Sequence, residues 1–315
     1  MVFDIIHTTK YKYEDGASFC HNLATLKPKN IPGQTVLEYN LFISPTPNDI
    51  SERLDFFGNT ITRFSIQEFH KELEVTAKSK VLRDFAVQLL DFDVEKAKKI
   101  TVKEAKELLI GCTEELIDAK QFTLKSPLIS SISKEIKAYA KISFKPKRSL
   151  YEASFDLMER IFNDFDFVSG FTTIATPLDV VMKEKKGVCQ DFAQIAIACV
   201  RSVGLPARYV SGYIETLPPE GKEKLVGTDA SHAWFGVYIP TFGWVDFDPT
   251  NNQIPKNQHI VVAYGRDYLD VPPLKGVTYS SGKNVLEVSV DIRPSLVQFQ
   301  NQNQTQIQAQ SQSQQ

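Results

Sequence analysis

Gly187-Val188-Cys189-Gln190-Asp191-Phe192-Ala193-Gln194-Ile195-Ala196-Ile197-Ala198-Cys199-Val200-Arg201-Ser202-Val203-Gly204 reads as an apolar helix held between two glycine breaks. Gly187 interrupts the chain before it, and Gly204-Leu205-Pro206 ends it. Cys189 opens the helix, so its sulfur lies among unpaired backbone N–H groups at the positive end of the dipole. Such a place favours the thiolate, which is the nucleophilic form of cysteine. Cys199, ten residues deeper in the same helix, is read as a small hydrophobe. Asp191, in the first turn, complements the dipole.

Downstream, three strands are predicted over 207–216, 232–239 and 243–247, with 285–292 as a last one. His232 starts the second, in Asp229-Ala230-Ser231-His232-Ala233-Trp234, and alternation puts its imidazole on the same side as Trp234. Trp244, Asp246 and Asp248 alternate along the third strand, and Pro249 stops it. A short hairpin through Pro240 to Gly243 brings the far ends of these strands together, which makes Asp248 a better partner for His232 than Asp246. A carboxylate on one imidazole nitrogen fixes the tautomer and leaves the other nitrogen for sulfur. Cys189, His232 and Asp248 are therefore the candidate catalytic set, with the backbone N–H of Cys189 as an oxyanion donor. Gln190, Arg208, Tyr213 and Trp234 are candidate cleft-lining residues, with a solvated Arg and a packed Tyr as the plainer roles. The same Cys, His and Asp are also three potential zinc ligands, although the closely spaced ligand pairs of most metal sites are missing.

Upstream, Pro177 opens a helix over 178–186, and residues 83 to 166 carry helical spacing. One face there holds Ala105, Leu108, Leu109 and Cys112, and a later one Ile129, Ile132, Ile136, Tyr139 and Ala140. Residues 2 to 82 alternate apolar and polar positions between turns at Asp15-Gly16, Pro32-Gly33, Pro45-Thr46-Pro47-Asn48 and Gly58-Asn59, the pattern of half-buried antiparallel strands. The expected organisation is a β-strand domain over 1–82, a helical segment over 83–150, a catalytic α+β domain over 151–294 and a Gln-rich tail over 295–315. The tail lacks apolar residues to pack, so disorder is expected.

With 36 Lys plus Arg against 38 Asp plus Glu the formal charge is −2, so no global field attracts nucleic acid or anionic lipid. The N-terminus has no basic and apolar leader pattern, and no run approaches the roughly 18 apolar residues of a membrane span. Four scattered cysteines without a CxxC pair suit neither a disulfide framework nor a thiolate cage, and point to a reducing cytoplasm.

Three blocks, 187–193 continued in 204–213, 229–234 and 243–251, resemble the bacterial transglutaminase-like family in content and order. Tyr11, Tyr13 and the stretch Asp55 to Asn59 are similar to the β domain that precedes its catalytic domain, and Gly265-Arg266-Asp267-Tyr268 to its C-terminal part. The resemblance implies a papain-like α+β core, with the cysteine on a helix packed against an antiparallel sheet and the His and Asp on adjacent strands. It implies Cys189 as nucleophile, His232 as base and then acid, and Asp248 as orienting carboxylate, with no metal or cofactor. The substrate implied is a protein or peptide amide, cleaved by water or transferred to an amine. A non-catalytic interaction module on the same fold is the reading from another class, and an intact triad argues against it. Phe167 departs from the tyrosine common among related sequences, which removes a hydroxyl. Nothing in the resemblance covers residues 85 to 125, and the oligomeric state is not readable.

Overall fold

A computed structural model of the chain describes residues 1–84, 93–215 and 230–295. The Gln-rich stretch after Ser295 and Asp229 lie outside the described residues. The chain opens with strands β1 (Val2–Ala24), β2 (Gln34–Ser44), β3 (Asp49–Leu54), β4 (Thr60–Ile66) and β5 (His70–Arg83). Helices α1 (Val94–Ala97), α2 (Val102–Leu108), α3 (Glu114–Lys120), α4 (Lys134–Ser143) and α5 (Leu150–Asp164) follow. The short strands β6 (Asp166–Phe167) and β7 (Lys186–Gly187) flank α6 (Leu178–Glu184) and lead into α7 (Cys189–Ser202). Then come β8 (Ala207–Ile214), β9 (Ala230–Ile239), β10 (Gly243–Phe247), β11 (His259–Gly265), β12 (Leu274–Ser280) and β13 (Asn284–Pro294).

The result is an α+β fold, an antiparallel N-terminal sheet followed by a helix-and-sheet core. β1 is the spine of the first sheet. Its first half lies between β5 and β13, with Val2 opposite Leu82 and Phe3 opposite Pro294. Its second half lies between β4 and β12, with Cys20 opposite both Ile66 and Thr278. The register shifts between Lys12 and Ala17, where Gly16 takes φ 80° and lets the strand bend.

The second sheet runs β10-β9-β8-β11, antiparallel throughout. Its fourth strand corrects the sequence expectation. The strand at 285–292 pairs with β1 in the first sheet, and the place beside β8 is taken by His259–Gly265. His259–Gly265 is buried at nearly every position, so it carries no alternation to reveal it. Conversely, the alternation of 285–292 marks a half-buried strand but not the sheet it joins.

Every residue of α7 from Phe192 to Arg201 is buried, between the second sheet and the layer of α4, α5 and α6. Its C-terminus closes as a Schellman motif: Gly204 at φ 79° donates to the Arg201 carbonyl (2.9 Å), and Leu205 to that of Val200 (3.3 Å). Arg201, itself buried, then donates to the carbonyls of Ala207, Leu124 and Arg266, which ties the end of the helix to β8 and to the loop after β11. The helical stretch differs in detail from its spacing. α2 stops at Leu108, leaving Leu108 and Cys112 exposed, and Ser133 caps α4 so that Ile129 and Ile132 precede the helix. No helix among the described residues is long and apolar enough to cross a membrane.

Phe3, Ile5 and Val81 of the first sheet belong to the same buried cluster as α7 and the second sheet. Beside them the buried His7 imidazole bonds through Nδ1 to the Tyr213 hydroxyl (3.0 Å) and through Nε2 to Thr9 Oγ1 (3.2 Å). Burial pushes His7 down from the ordinary 6.5 to about 4. His7 is thus neutral in the fold, while the unfolded chain takes up a proton as the pH falls. The stability this contributes is complete above 6.5 and is lost as the pH falls to about 4. The loss should reach at most about 3 kcal/mol, and His7→Gln should flatten it. Urea midpoints on either side of that window check this, and an unchanged acid slope in the variant would exclude His7 as the source.

Candidate active site

Cys189 is half-buried at the first position of α7, where its backbone N–H has no partner within the helix. The turn is tightened by Asp191, whose Oδ2 accepts the Val188 N–H (2.9 Å) and the Thr172 hydroxyl (2.6 Å). A Cβ at Gly187 would lie 2.7 Å from that same Oδ2, so only glycine lets the carboxylate fold back onto the turn. Thr172 belongs to the loop after β6, and β6 runs parallel to β7 with Phe167 opposite Gly187. Phe167 is exposed and edge-on to Phe192, so the position without its hydroxyl flanks the nucleophile turn with an apolar ring.

β9 and β10 form the hairpin read from the sequence, with Trp244 opposite Tyr238 and Phe247 opposite Phe235. Asp248 follows the end of β10, fully buried, and its Oδ2 accepts a hydrogen bond from His232 Nε2 (2.8 Å). The remaining ring nitrogen, Nδ1, is not used by Asp248, and the Cys189 thiol lies close enough to act on the charge of the imidazole. Burial alone lowers His232, but the hydrogen bonds and charges of Asp248 and Cys189 outweigh it and carry the imidazole up to about 10. For Asp248, burial works upward, and the two histidines bonded to it overcome that and hold the carboxyl well below the usual carboxylate range. An imidazolium beside a thiol and a buried carboxylate can stabilise a thiolate and carry a proton to or from it.

The second of those histidines was not singled out in the sequence. His259 opens β11, 1% exposed, and its Nε2 lies 2.9 Å from the same Asp248 Oδ2. Asn251 Nδ2 donates to this oxygen as well (2.7 Å), and the backbone N–H groups of Thr250 and Asn251 donate to Oδ1 (3.0 and 3.3 Å). Five donors therefore converge on one carboxylate. A lone histidine at the start of an unrecognised strand gave no pairing to count. The signal that could have found it is a polar ring entering a wholly apolar run straight after the Lys256-Asn257-Gln258 turn.

Asp246, the rival carboxylate, is occupied elsewhere: Oδ1 accepts from Arg208 (3.1 Å) and Oδ2 from Trp234 Nε1 (3.2 Å). Trp234 is fully buried, with its ring 5.8 Å from that of His232. Arg208 stacks 3.6 Å from the Tyr264 ring and lines a cavity of about 650 Å³ with Trp244, Asp246 and His259, whose walls do not include Cys189. Tyr213 is buried and turned to His7, so it packs rather than lines a cleft. Gln190 is partly exposed in the turn beside Cys189. Among the described residues, the one group close enough to share a metal ion is His232, Asp248 and His259, within 4.8 Å, and Cys189 is not in it. That group differs from the Cys, His and Asp set weighed and disfavoured as zinc ligands from the sequence.

Residues 3–82 match the family model described as the bacterial transglutaminase-like N-terminal region, and residues 137–249 that of the transglutaminase-like superfamily. An uncharacterized protein of Mycobacterium tuberculosis is 38% identical over 305 residues, 93% of this chain and 92% of its own length. One from Mycobacterium leprae is 31% identical over 91% of this chain and 97% of its own. A protein-glutamine gamma-glutamyltransferase of Pseudomonas aeruginosa is 33% identical over 106 residues, 32% of this chain and 16% of that protein. Among solved structures, a cysteine-protease candidate from Cytophaga hutchinsonii superposes with a TM-score of 0.71 at 22% identity, covering 93% of this chain and 90% of that one. That likeness speaks to the fold.

Proposed function

Because the chain belongs to the bacterial transglutaminase-like family, we propose that it is a cysteine hydrolase that cleaves an amide bond of a protein or peptide through a thioester. The observation that carries this reading is the His232 ring, bonded through Nε2 to buried Asp248 and with the Cys189 thiol close enough to help raise it. Cys189 Sγ attacks the carbonyl carbon, and the Cys189 backbone N–H stabilises the oxyanion. His232 gives its Nδ1 proton to the amide nitrogen, the C–N bond breaks and an amine leaves. His232 then takes a proton from water, whose oxygen attacks the thioester, and the C–S bond breaks to release the acid and restore the thiolate. Asp248 keeps its negative charge throughout and orients the ring.

Water is favoured as the second nucleophile because it needs no site of its own and Cys189 is half-buried rather than sealed from solvent. The partial match to the gamma-glutamyltransferase favours a second reading, in which an amine resolves the same thioester. Offering peptide amides with and without a primary amine, and weighing the products, separates acid from new amide. The four free cysteines, two of them buried, support a reducing cytoplasm as the compartment.

Cys189 should react with iodoacetamide near neutral pH about tenfold faster than the other cysteines. Cys20 and Cys199 are buried, and burial pushes the Cys199 thiol up to about 12. Exposed Cys112 is the internal control, and labelling of Cys112 as fast as Cys189 would remove the basis for an activated nucleophile.

A further inference from the structure

We infer that His259 is a positioning residue of the acyl-transfer site, a neutral N–H donor that shares Asp248 Oδ2 with His232 and thereby keeps the working proton on His232 while letting it leave for the departing amine. The inference rests on the reading of Cys189, His232 and Asp248 given above.

The backbone N–H of Lys256 donates to His259 Nδ1 (3.4 Å), so that nitrogen carries the lone pair and Nε2 carries the hydrogen. His259 therefore meets Asp248 as a neutral donor. The ring is held edge-on to Trp234, centroids 5.2 Å apart at 86°, and cannot turn without displacing the indole. The titratable groups facing it are Asp248, His232 and Arg83. Burial lowers the His259 imidazole, the nearby His232 and Arg83 charges act in the same direction, and the pull of Asp248 does not reverse them. The two histidines on one oxygen thus differ in kind: His232 faces a thiol and takes the charge, and His259 faces a backbone N–H and stays neutral.

The chemical consequence follows from sharing an acceptor. A carboxylate bonded to His232 alone would hold its imidazolium so firmly that the ring would be a poor acid toward a leaving amine. A second donor on the same oxygen draws off part of the charge, loosens the imidazolium, and disfavours transfer of the proton to Asp248. It also fixes the carboxylate rotamer, so that Oδ2 stays opposite the His232 N–H.

The test is the pH dependence of Cys189 alkylation by iodoacetate, whose anion is drawn by the His232 imidazolium and loses rate as that ring deprotonates. His259→Phe keeps a ring against Trp234 and removes the donor, and His259→Gln keeps a side-chain N–H. The basic limb should move up by on the order of one pH unit in His259→Phe and stay at the wild-type position in His259→Gln. A limb that does not move in His259→Phe, moves equally in both variants, or moves down toward an ordinary imidazole overturns the inference, the last because a merely loosened site would weaken the Asp248 pair. Melting temperatures identify a variant that fails to fold, and His259→Gln then serves alone, a shifted limb in a folded protein overturning the inference. If the wild-type enzyme has no such limb, it is the proposed reading of the site that fails, not the role of His259.

Discussion

Asp248→Asn should lower kcat by on the order of 10²- to 10⁴-fold. Asp248 Oδ2 accepts from His232, His259 and Asn251, and Oδ1 from two backbone N–H groups. An asparagine must turn its NH₂ toward one of these sets, so either way donor meets donor. With the amide nitrogen toward His232, the ring is driven to the wrong tautomer, and with the nitrogen reversed, the amide oxygen has no charge to balance an imidazolium. The variant should also lose stability, by roughly 1–3 kcal/mol for the mispaired buried group, so kcat must be measured below its melting transition. Asp246→Asn should cost far less activity, since Asp246 holds Arg208 and the Trp234 indole. A larger kcat defect in Asp246→Asn would reassign the orienting carboxylate.

Cys189→Ala should abolish turnover, a fall of on the order of 10⁴-fold or more, because it removes the sulfur that carries the acyl chain. Stability should change by less than about 1 kcal/mol, since the thiol is half-buried at a helix start and the deletion opens no large cavity. Intact-protein mass spectrometry should detect an acyl adduct on the wild-type protein and none on the variant. Residual turnover near the wild-type rate in Cys189→Ala would end the thioester reading.

How much of this was legible depends on where each signal lies. α7 was readable because its ends are glycines with specific work: Gly187 leaves room for the Asp191 carboxylate, and Gly204 takes the left-handed turn of the Schellman motif. The β9–β10 hairpin was readable because a three-residue connection fixes the register by counting, which favoured Asp248 over Asp246. β11 was not, because His259–Gly265 is covered on both faces and has no period. Missing that strand meant missing His259. Tyr213 looked like a cleft residue because alternation says which face of a strand a residue takes and not what covers that face. The cover is β1, some two hundred residues earlier in the chain, through His7.

The return of β12 and β13 to β1 has a consequence for synthesis. On a ribosome adding about 5–20 residues per second, β1 emerges early but waits roughly a quarter of a minute to a minute for the strands that flank its other edge. During that interval the backbone of β1 that will face Asn284–Pro294 offers unpaired N–H and C=O groups, a template for any passing extended segment. Folding of the β-rich region is thus a late event despite its early position. A nascent chain cut short anywhere between β5 and β12 leaves that edge open, and should be bound by chaperones or degraded rather than persist as a free N-terminal unit.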